Sequence, residues 1–141
     1  MSENFRNALG IRHLVCGSCN GCELEMNALM APQYDISQHG WSIVASPRHA
    51  DVITVTGPMI EAMRIAAERT LDALSNPKVV VAIGDCAAGN GAWCGVGSAG
   101  SGAGALLGAE VVVRGCPPTP KAILAGLREA ATLLDRESEP K

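Results

Sequence analysis

The sequence predicts a three-layer α/β domain with a mainly parallel sheet. Short apolar runs alternate along the chain with segments of helical period, and this alternation favours parallel strands joined by helices. Cysteines follow three of the apolar runs directly, at residues 16–22, at Cys86 and at Cys116. Because ligands bind outside the carboxyl ends of the strands in such a sheet, we expect these cysteines to converge on a metal or iron–sulfur site.

Five apolar runs rich in β-branched residues are the predicted strands. They cover residues 11–15, 41–45, 51–56, 78–83 and 110–113. Helices are predicted over residues 21–30, 58–74 and 118–134. The first has Asn20 as its cap and Leu24, Leu29 and Met30 as apolar positions. The second has Pro58 near its first position. Residues 84–108 are dense in glycine and are predicted to be a long functional loop with a helical turn at 103–107.

The predicted strand–helix order resembles that of a flavodoxin. We expect a single domain over residues 11–134, because no internal repeat or linker divides that stretch. Residues 1–10 are predicted to be a flexible arm. Residues 135–141 are predicted to be a charged, frayed tail.

Charge and hydropathy exclude several classes of function. The net charge is −3, so nucleic-acid binding has no electrostatic support. No apolar run approaches the ~18 residues that a membrane span needs. The first ten residues are polar and lack the apolar core of a signal peptide. We therefore expect a cytoplasmic protein with no direct membrane insertion, which meets a membrane only through partners.

Six cysteines in a cytoplasmic protein indicate metal or redox chemistry rather than disulfides. Cys16, Cys19 and Cys22 fit the first three positions of a bacterial ferredoxin motif, but the fourth position falls on Met26. A fourth ligand must therefore come from far away in sequence, and Cys86 and Cys116 are candidates. On spacing alone, four thiolates suit structural zinc as well as an iron–sulfur cluster.

Four motifs in order resemble those of one family over residues 11–134. They are Cys19-Asn20-Gly21-Cys22-Glu23, Ser46-Pro47-Arg48-His49-Ala50-Asp51 leading to Thr56-Gly57-Pro58, Gly84-Asp85-Cys86-Ala87, and Gly115-Cys116-Pro117-Pro118-Thr119-Pro120. The family is the small subunit of [NiFe] hydrogenases. The match is closest to the membrane-bound, energy-converting type, which includes the CO-induced and formate-hydrogenlyase enzymes. The homologous subunit of respiratory complex I, which carries the terminal cluster, has the same skeleton.

The resemblance implies that Cys19, Cys22, Cys86 and Cys116 hold one [4Fe–4S] cluster. It also implies that the cluster relays electrons to the nickel site of a large subunit, where 2H⁺ + 2e⁻ ⇌ H₂ takes place. The implied partners are that large subunit, a ferredoxin-like iron–sulfur subunit and integral membrane subunits at the inner face of the cell membrane. Cys16 and Cys94 are left over, and an inert thiol is the simpler interpretation of Cys94.

Two departures separate this chain from neighbouring families. The complex I subunit has two adjacent cysteines where this chain has Cys22-Glu23, which makes quinone reduction the alternative function. Periplasmic uptake hydrogenases carry a signal peptide and a further cluster domain, whereas this sequence ends at Lys141, soon after Cys116. We therefore expect a single-cluster subunit. An alternative of another class is a structural zinc module.

Acidic and histidine side chains beside the first cysteine motif have simple structural interpretations. Glu23 and Glu25 lie in the first turn of a predicted helix, where acids favour the positive end of the helix dipole. His13 lacks metal-ligand spacing, so a surface or capping role is expected for it.

Overall fold

Five parallel strands form the central sheet of the computed structural model, which describes residues 5–138. Their spatial order is β2-β1-β3-β4-β5, and every neighbouring pair is parallel. This order is that of flavodoxin-like doubly wound sheets, so the predicted fold class is confirmed. The strands are β1 (Leu9–Val15), β2 (Trp41–Ile43), β3 (Val52–Thr56), β4 (Val79–Ile83) and β5 (Val111–Val113), and the helices are α1 (Gly21–Asn27), α2 (Glu61–Ala73), α3 (Asp85–Ala88), α4 (Ala103–Leu107) and α5 (Pro120–Ser138).

Helices cover both faces of the sheet. One face packs against α1 and α5, and its core includes Ile11, Val81 and Leu127. The other face packs against α2, α3 and α4, and its core includes Ile53, Ala67 and Ala103. Every residue of β3 and β4 is buried, because these two strands have a neighbour on each side and helices above and below.

The glycine-rich segment is more ordered than a free loop. It contains the short helix α3, which was not predicted, and the predicted turn at Ala103–Leu107, which is α4. Between them, the amide of Gly100 donates to the Met59 carbonyl at 2.8 Å and Ala99 forms an antiparallel bridge with Ile60. These bonds fix the segment against the chain that follows β3.

Helix α2 was predicted to begin near Pro58 but begins at Glu61, and those contacts explain the difference. Met59 adopts a φ of 68°, and Ile60 is extended where it pairs with the glycine-rich segment. Met59 is buried, as expected of a core residue, whereas Ile65, predicted to be an apolar position of the helix, is 64% exposed.

The amino-terminal arm differs from prediction from Phe5 onward. Phe5 is 6% exposed, and its amide donates to a carboxylate oxygen of Asp135 at 2.8 Å. Arg6 pairs with the same carboxylate at 3.2 Å, and its carbonyl accepts a hydrogen bond from the Trp41 indole. The predicted tail is likewise helical as far as Ser138. The rest of the predicted arm, residues 1–4, and of the predicted tail, 139–141, lies outside the described residues.

The segment after the first cysteines is α1 followed by a 3₁₀ turn, Ala28–Met30. Its buried positions are Met26 and Leu29, which follow the partly buried Cys22 at helical spacing. Leu24 and Met30 were predicted to be apolar positions of this helix but are 62% and 52% exposed. The prediction was wrong because it left Cys22 out of the apolar stripe.

None of the helices within residues 5–138 has both the length and the apolar character needed to cross a bilayer.

Two leucines of this segment provide a test of the packing. Leu29→Ala should lower the free energy of unfolding by about 2–5 kcal/mol, because it opens a cavity in a fully buried site. Leu24→Ala is the matched control and should change it by less than about 0.5 kcal/mol. Urea unfolding of the purified chain measures both. Equal losses in the two variants would contradict the placement of this segment.

Candidate functional site

Loops that follow β1, β4 and β5 meet at the carboxyl edge of the sheet. They surround a cavity of about 150 Å³. The four cysteines singled out by the sequence motifs, Cys19, Cys22, Cys86 and Cys116, all line it. The other lining residues are Ser18, Gly21, Gly57, Asp85, Gly115 and Pro117. The fold thus brings together, from three separate parts of the chain, the four thiols that the motifs identified.

The first loop places Cys19 and Cys22 around the start of α1. Asn20, predicted to cap this helix, adopts a left-handed conformation (φ 77°) and makes no side-chain capping bond. Its amide instead donates to the Ser18 hydroxyl at 3.0 Å, and its carbonyl accepts from Leu24 at 3.1 Å. This compact turn leaves Cys19 exposed and Cys22 half-buried.

A glycine at the end of β4 allows the second loop to approach the first. Gly84 has a φ of +91°, and a Cβ at this position would lie 2.6 Å from the Cys22 sulfur. Any side chain at this position would therefore collide with the Cys22 thiol. Gly91 approaches the Cys86 sulfur in the same way, at 2.5 Å for an added Cβ.

The electrostatics of the thiols also show how near they are to one another. Burial raises the pKa of Cys22 to about 12, with further contributions from Glu23 and from the other three cysteines of the cavity. Burial likewise raises the pKa of Cys86. A metal ion bound at these sulfurs would favour their thiolate forms, because its positive charge offsets the repulsion between them.

The two remaining cysteines differ in position. Cys16 is fully buried in the core on the α2 side of the sheet, where burial raises its pKa to about 11. Cys94 lies in the glycine-rich segment, and its thiol donates to the Cys86 carbonyl at 3.3 Å. Neither sulfur is part of the cavity lining described above.

A polar network that sequence reasoning missed supports the first loop. The Glu23 carboxylate accepts hydrogen bonds from the hydroxyls of Ser18 and Thr56 and contacts the His13 ring at 3.3 Å. The other ring nitrogen of His13 lies 2.9 Å from the Thr54 hydroxyl. Burial opposes the charged form of Glu23, but these hydrogen bonds outweigh it and hold its pKa below the usual value.

Strand register is the signal that would have revealed this network. His13 pairs with Thr54 and Val15 with Thr56 in the β1–β3 ladder, so these side chains share the face on which α1 lies. His13, expected at the surface or as a cap, is therefore a half-buried member of the site's support. Burial lowers its pKa despite the nearby Glu23, and Arg12 lowers it further.

Four thiols are the ligand set of either a structural zinc ion or an iron–sulfur cluster. Tetrahedral zinc requires sulfur atoms about 2.3 Å from a single centre. Within residues 5–138, no three His, Cys, Asp or Glu side chains converge closely enough to hold one metal ion. Four thiols around a shared cavity are also compatible with an iron–sulfur cluster, which is held by cysteine thiolates.

Sequence comparison places the chain in a family. The profile of the NADH ubiquinone oxidoreductase 20 kDa subunit matches residues 19–130, a stretch that includes all four cysteines of the cavity. The chain belongs to this family, whose named relatives are subunits of hydrogenase and oxidoreductase complexes.

Three curated relatives show the range of this family. Formate hydrogenlyase subunit 7 of Escherichia coli is 37% identical over 135 residues, which are 96% of this chain and 53% of that protein. The probable membrane-bound hydrogenase subunit mbhJ of Pyrococcus furiosus is 37% identical over 92% of this chain and 80% of its own. An NADH-quinone oxidoreductase subunit of Clostridium beijerinckii is 36% identical over 85% of this chain and 70% of that protein. The chain thus spans about half the length of the formate hydrogenlyase subunit.

Solved structures share the fold. A chain of the membrane-bound sulfane sulfur reductase, an archaeal respiratory membrane complex, superposes with a TM-score of 0.75 at 26% identity, covering 93% of this chain and 72% of that one. A chain of an NAD⁺-reducing [NiFe]-hydrogenase superposes with a TM-score of 0.67 at 14% identity, covering 95% and 96%. At 14% identity, the likeness to the [NiFe]-hydrogenase chain concerns the fold alone.

Removing the Glu23 carboxylate should destabilise the chain. Glu23→Ala leaves Ser18, Thr56 and His13 without their shared partner, and we expect a loss of about 2 kcal/mol in the free energy of unfolding. Glu25→Ala is the control, because Glu25 makes no hydrogen bond or ion pair within the described residues. Urea unfolding compares the two. A Glu23→Ala chain as stable as Glu25→Ala would contradict the network.

The lowered pKa of His13 predicts a loss of stability in acid. An unfolded imidazole takes up its proton near pH 6.5, whereas folded His13 does so only at lower pH. The unfolded state therefore binds more protons between these values, so stability falls as the pH drops through 6.5. Urea unfolding at about pH 7.5 and about pH 5.5 should show a smaller loss for His13→Gln than for wild type or the exposed-site control His49→Gln. An unchanged loss in His13→Gln would contradict the burial of a neutral His13.

Proposed function

We propose that this chain is the electron-transfer small subunit of an energy-converting [NiFe] hydrogenase complex, in which it holds one [4Fe–4S] cluster. Cys19, Cys22, Cys86 and Cys116 are the proposed ligands. The observation that carries the proposal is the convergence of these four thiols around one cavity from three loops. Membership of a family with hydrogenase relatives supports it.

The cluster supplies reversible one-electron transfer, and the chain's own residues hold it and shape its surroundings. Glycines at positions 21, 57 and 115 line the cavity and keep side chains out of it. The Glu23 network and the turn at Ser18 and Asn20 fix the loop that carries Cys19 and Cys22. Cys19 and Cys116 are exposed, so the cavity lies near the surface, where a partner can exchange electrons.

The proposed partners follow from the names of the relatives. Formate hydrogenlyase and a membrane-bound hydrogenase are both named among them. In this proposal a large subunit carries the nickel site and interconverts protons and H₂, while a ferredoxin-like subunit supplies or receives the electrons. Membrane subunits couple turnover to ion translocation and hold the complex at the inner face of the cell membrane.

A complex-I-like subunit that passes electrons to quinone is the second candidate. Its support is the Clostridium beijerinckii relative, which is named as part of an NADH-quinone oxidoreductase. The presence of Glu23 after Cys22, where the complex I subunit has a second adjacent cysteine, favours the hydrogenase assignment. A structural zinc module, the third candidate, predicts a colourless protein without sulfide.

Serine substitutions test the ligand set. Cys86→Ser and Cys116→Ser should each lose bound iron and hydrogen turnover in the complex, because an alcohol replaces a thiolate ligand. Cys16→Ala should keep both, because the Cys16 sulfur is buried in the core on the α2 side. Iron content and H₂ evolution of anaerobically purified complexes measure the effect.

Full iron and activity in Cys86→Ser or Cys116→Ser would contradict the ligand assignment. Iron without nickel, together with quinone reductase activity, would favour the complex-I-like function. Loss of iron in Cys16→Ala with the chain still folded would place a ligand outside the proposed four.

A further inference from the structure

One carboxylate ties together the loops that carry Cys86 and Cys116. The Gly115 amide donates to Oδ1 of Asp85 at 2.9 Å, and Nε of Arg114 lies 3.3 Å from the same oxygen. In return, the Asp85 amide donates to the Gly115 carbonyl at 2.8 Å. Asp85 and Gly115 each directly precede one of the proposed ligands, so this exchange links the two loops where the thiols leave the backbone.

Arg114 links the Asp85 carboxylate to Asn90, at the far end of the loop that follows β4. With its amide oxygen facing Arg114, Asn90 accepts from both terminal guanidinium nitrogens at 2.9 Å. The backbone N–H of Asn90 also donates to the backbone carbonyl of Asp85 at 2.9 Å. The loop around Cys86 is therefore closed on itself and fastened to the end of β5.

The backbone that this carboxylate holds is conformationally permissive at Gly115. Gly115 has a φ of +139°, and a Cβ there would lie 2.7 Å from Cα of Pro118. Glycine is conformationally permissive, so an external bond is needed to select this geometry. The Asp85 carboxylate supplies such a bond to the Gly115 amide, and the Asp85 amide supplies a second one to the Gly115 carbonyl.

We propose that Asp85 is a positioning residue that fixes the separation of the Cys86 and Cys116 thiols, and that its charge, offset by Arg114, sets the reduction potential of the group they hold. The proposal rests on the proposed function, because it concerns the same cavity. Asp85 lines that cavity, whereas the Arg114 side chain is 62% exposed.

The two charges should act on the potential with opposite signs. Reduction adds negative charge to the cavity, and a carboxylate at its wall opposes this. Removing the charge of Asp85 therefore raises the potential. Removing the guanidinium of Arg114 leaves the carboxylate less compensated and therefore lowers it. If Asp85 and Arg114 served only the fold, substituting either residue would leave the reduction potential unchanged.

Three variants separate charge from position. Asp85→Asn keeps an acceptor oxygen for Gly115 but removes the charge, whereas Asp85→Ala removes both. Arg114→Gln removes the opposite charge. The matched control is Asp51→Ala, because Asp51 accepts a hydrogen bond from the Gly10 amide at the same 2.9 Å, but at the amino-terminal edge of the sheet.

The experiment measures bound iron and the EPR-monitored midpoint potential in the anaerobically purified native complex. We expect Asp85→Asn to keep its iron with a raised potential, Arg114→Gln to show a lowered potential, and Asp85→Ala to lose most of its iron. Asp51→Ala should match wild type in iron and potential.

Equal potentials in Asp85→Asn, Arg114→Gln and Asp51→Ala would overturn the proposal, as would full iron and an unshifted potential in Asp85→Ala. If Asp85→Ala does not assemble, the opposite shifts of the other two variants decide the question. A wild-type chain that holds no iron–sulfur group would overturn the proposed function itself. A wild-type chain that holds the cluster, with variants of unchanged potential, would overturn only the role of Asp85.

Discussion

Parallel pairing of β1, β3, β4 and β5 is the constraint on which the rest of the molecule depends. Cys22, Cys86 and Cys116 are far apart along the chain, and only the alignment of strand ends brings them to one edge. β3 and β4 are buried along their full length, so a slip in their register would disrupt the packing of side chains on both faces.

Short-range features then determine the shape of the cavity. Glycines allow backbone and sulfur to approach closely, as at Gly84, where any side chain would meet the Cys22 thiol. Two carboxylates fasten the loops, Glu23 for the loop before α1 and Asp85 for the loops after β4 and β5. Because each carboxylate bonds at least one group outside its own loop, the loops are held relative to one another as well as to the sheet.

Much of the fold was predictable because the relevant signals are local. The β-branched runs gave the five strands, and the order of strands and helices gave the doubly wound class. The cysteine motifs identified the four thiols of the cavity before their proximity was known. The start of α2 was not predictable from local sequence, because contacts of Ile60 with Ala99 hold that stretch extended.

The features that sequence reasoning missed depend on contacts between distant residues. Phe5 is buried in the core on the α5 side, and its amide donates to Asp135, which lies 130 residues further along the chain. His13 and Thr54 meet only through the β1–β3 register. Leu24 was placed in the core because Cys22 was counted as a ligand alone and not also as an apolar position. No periodicity within one segment shows such contacts.

The metal content of the native complex decides what the four thiols hold. A tag on this chain allows anaerobic purification, after which iron, acid-labile sulfide, nickel and zinc are measured together. We expect iron and sulfide accompanied by nickel. Zinc in place of iron and sulfide would contradict this expectation and leave the four thiols as a structural site.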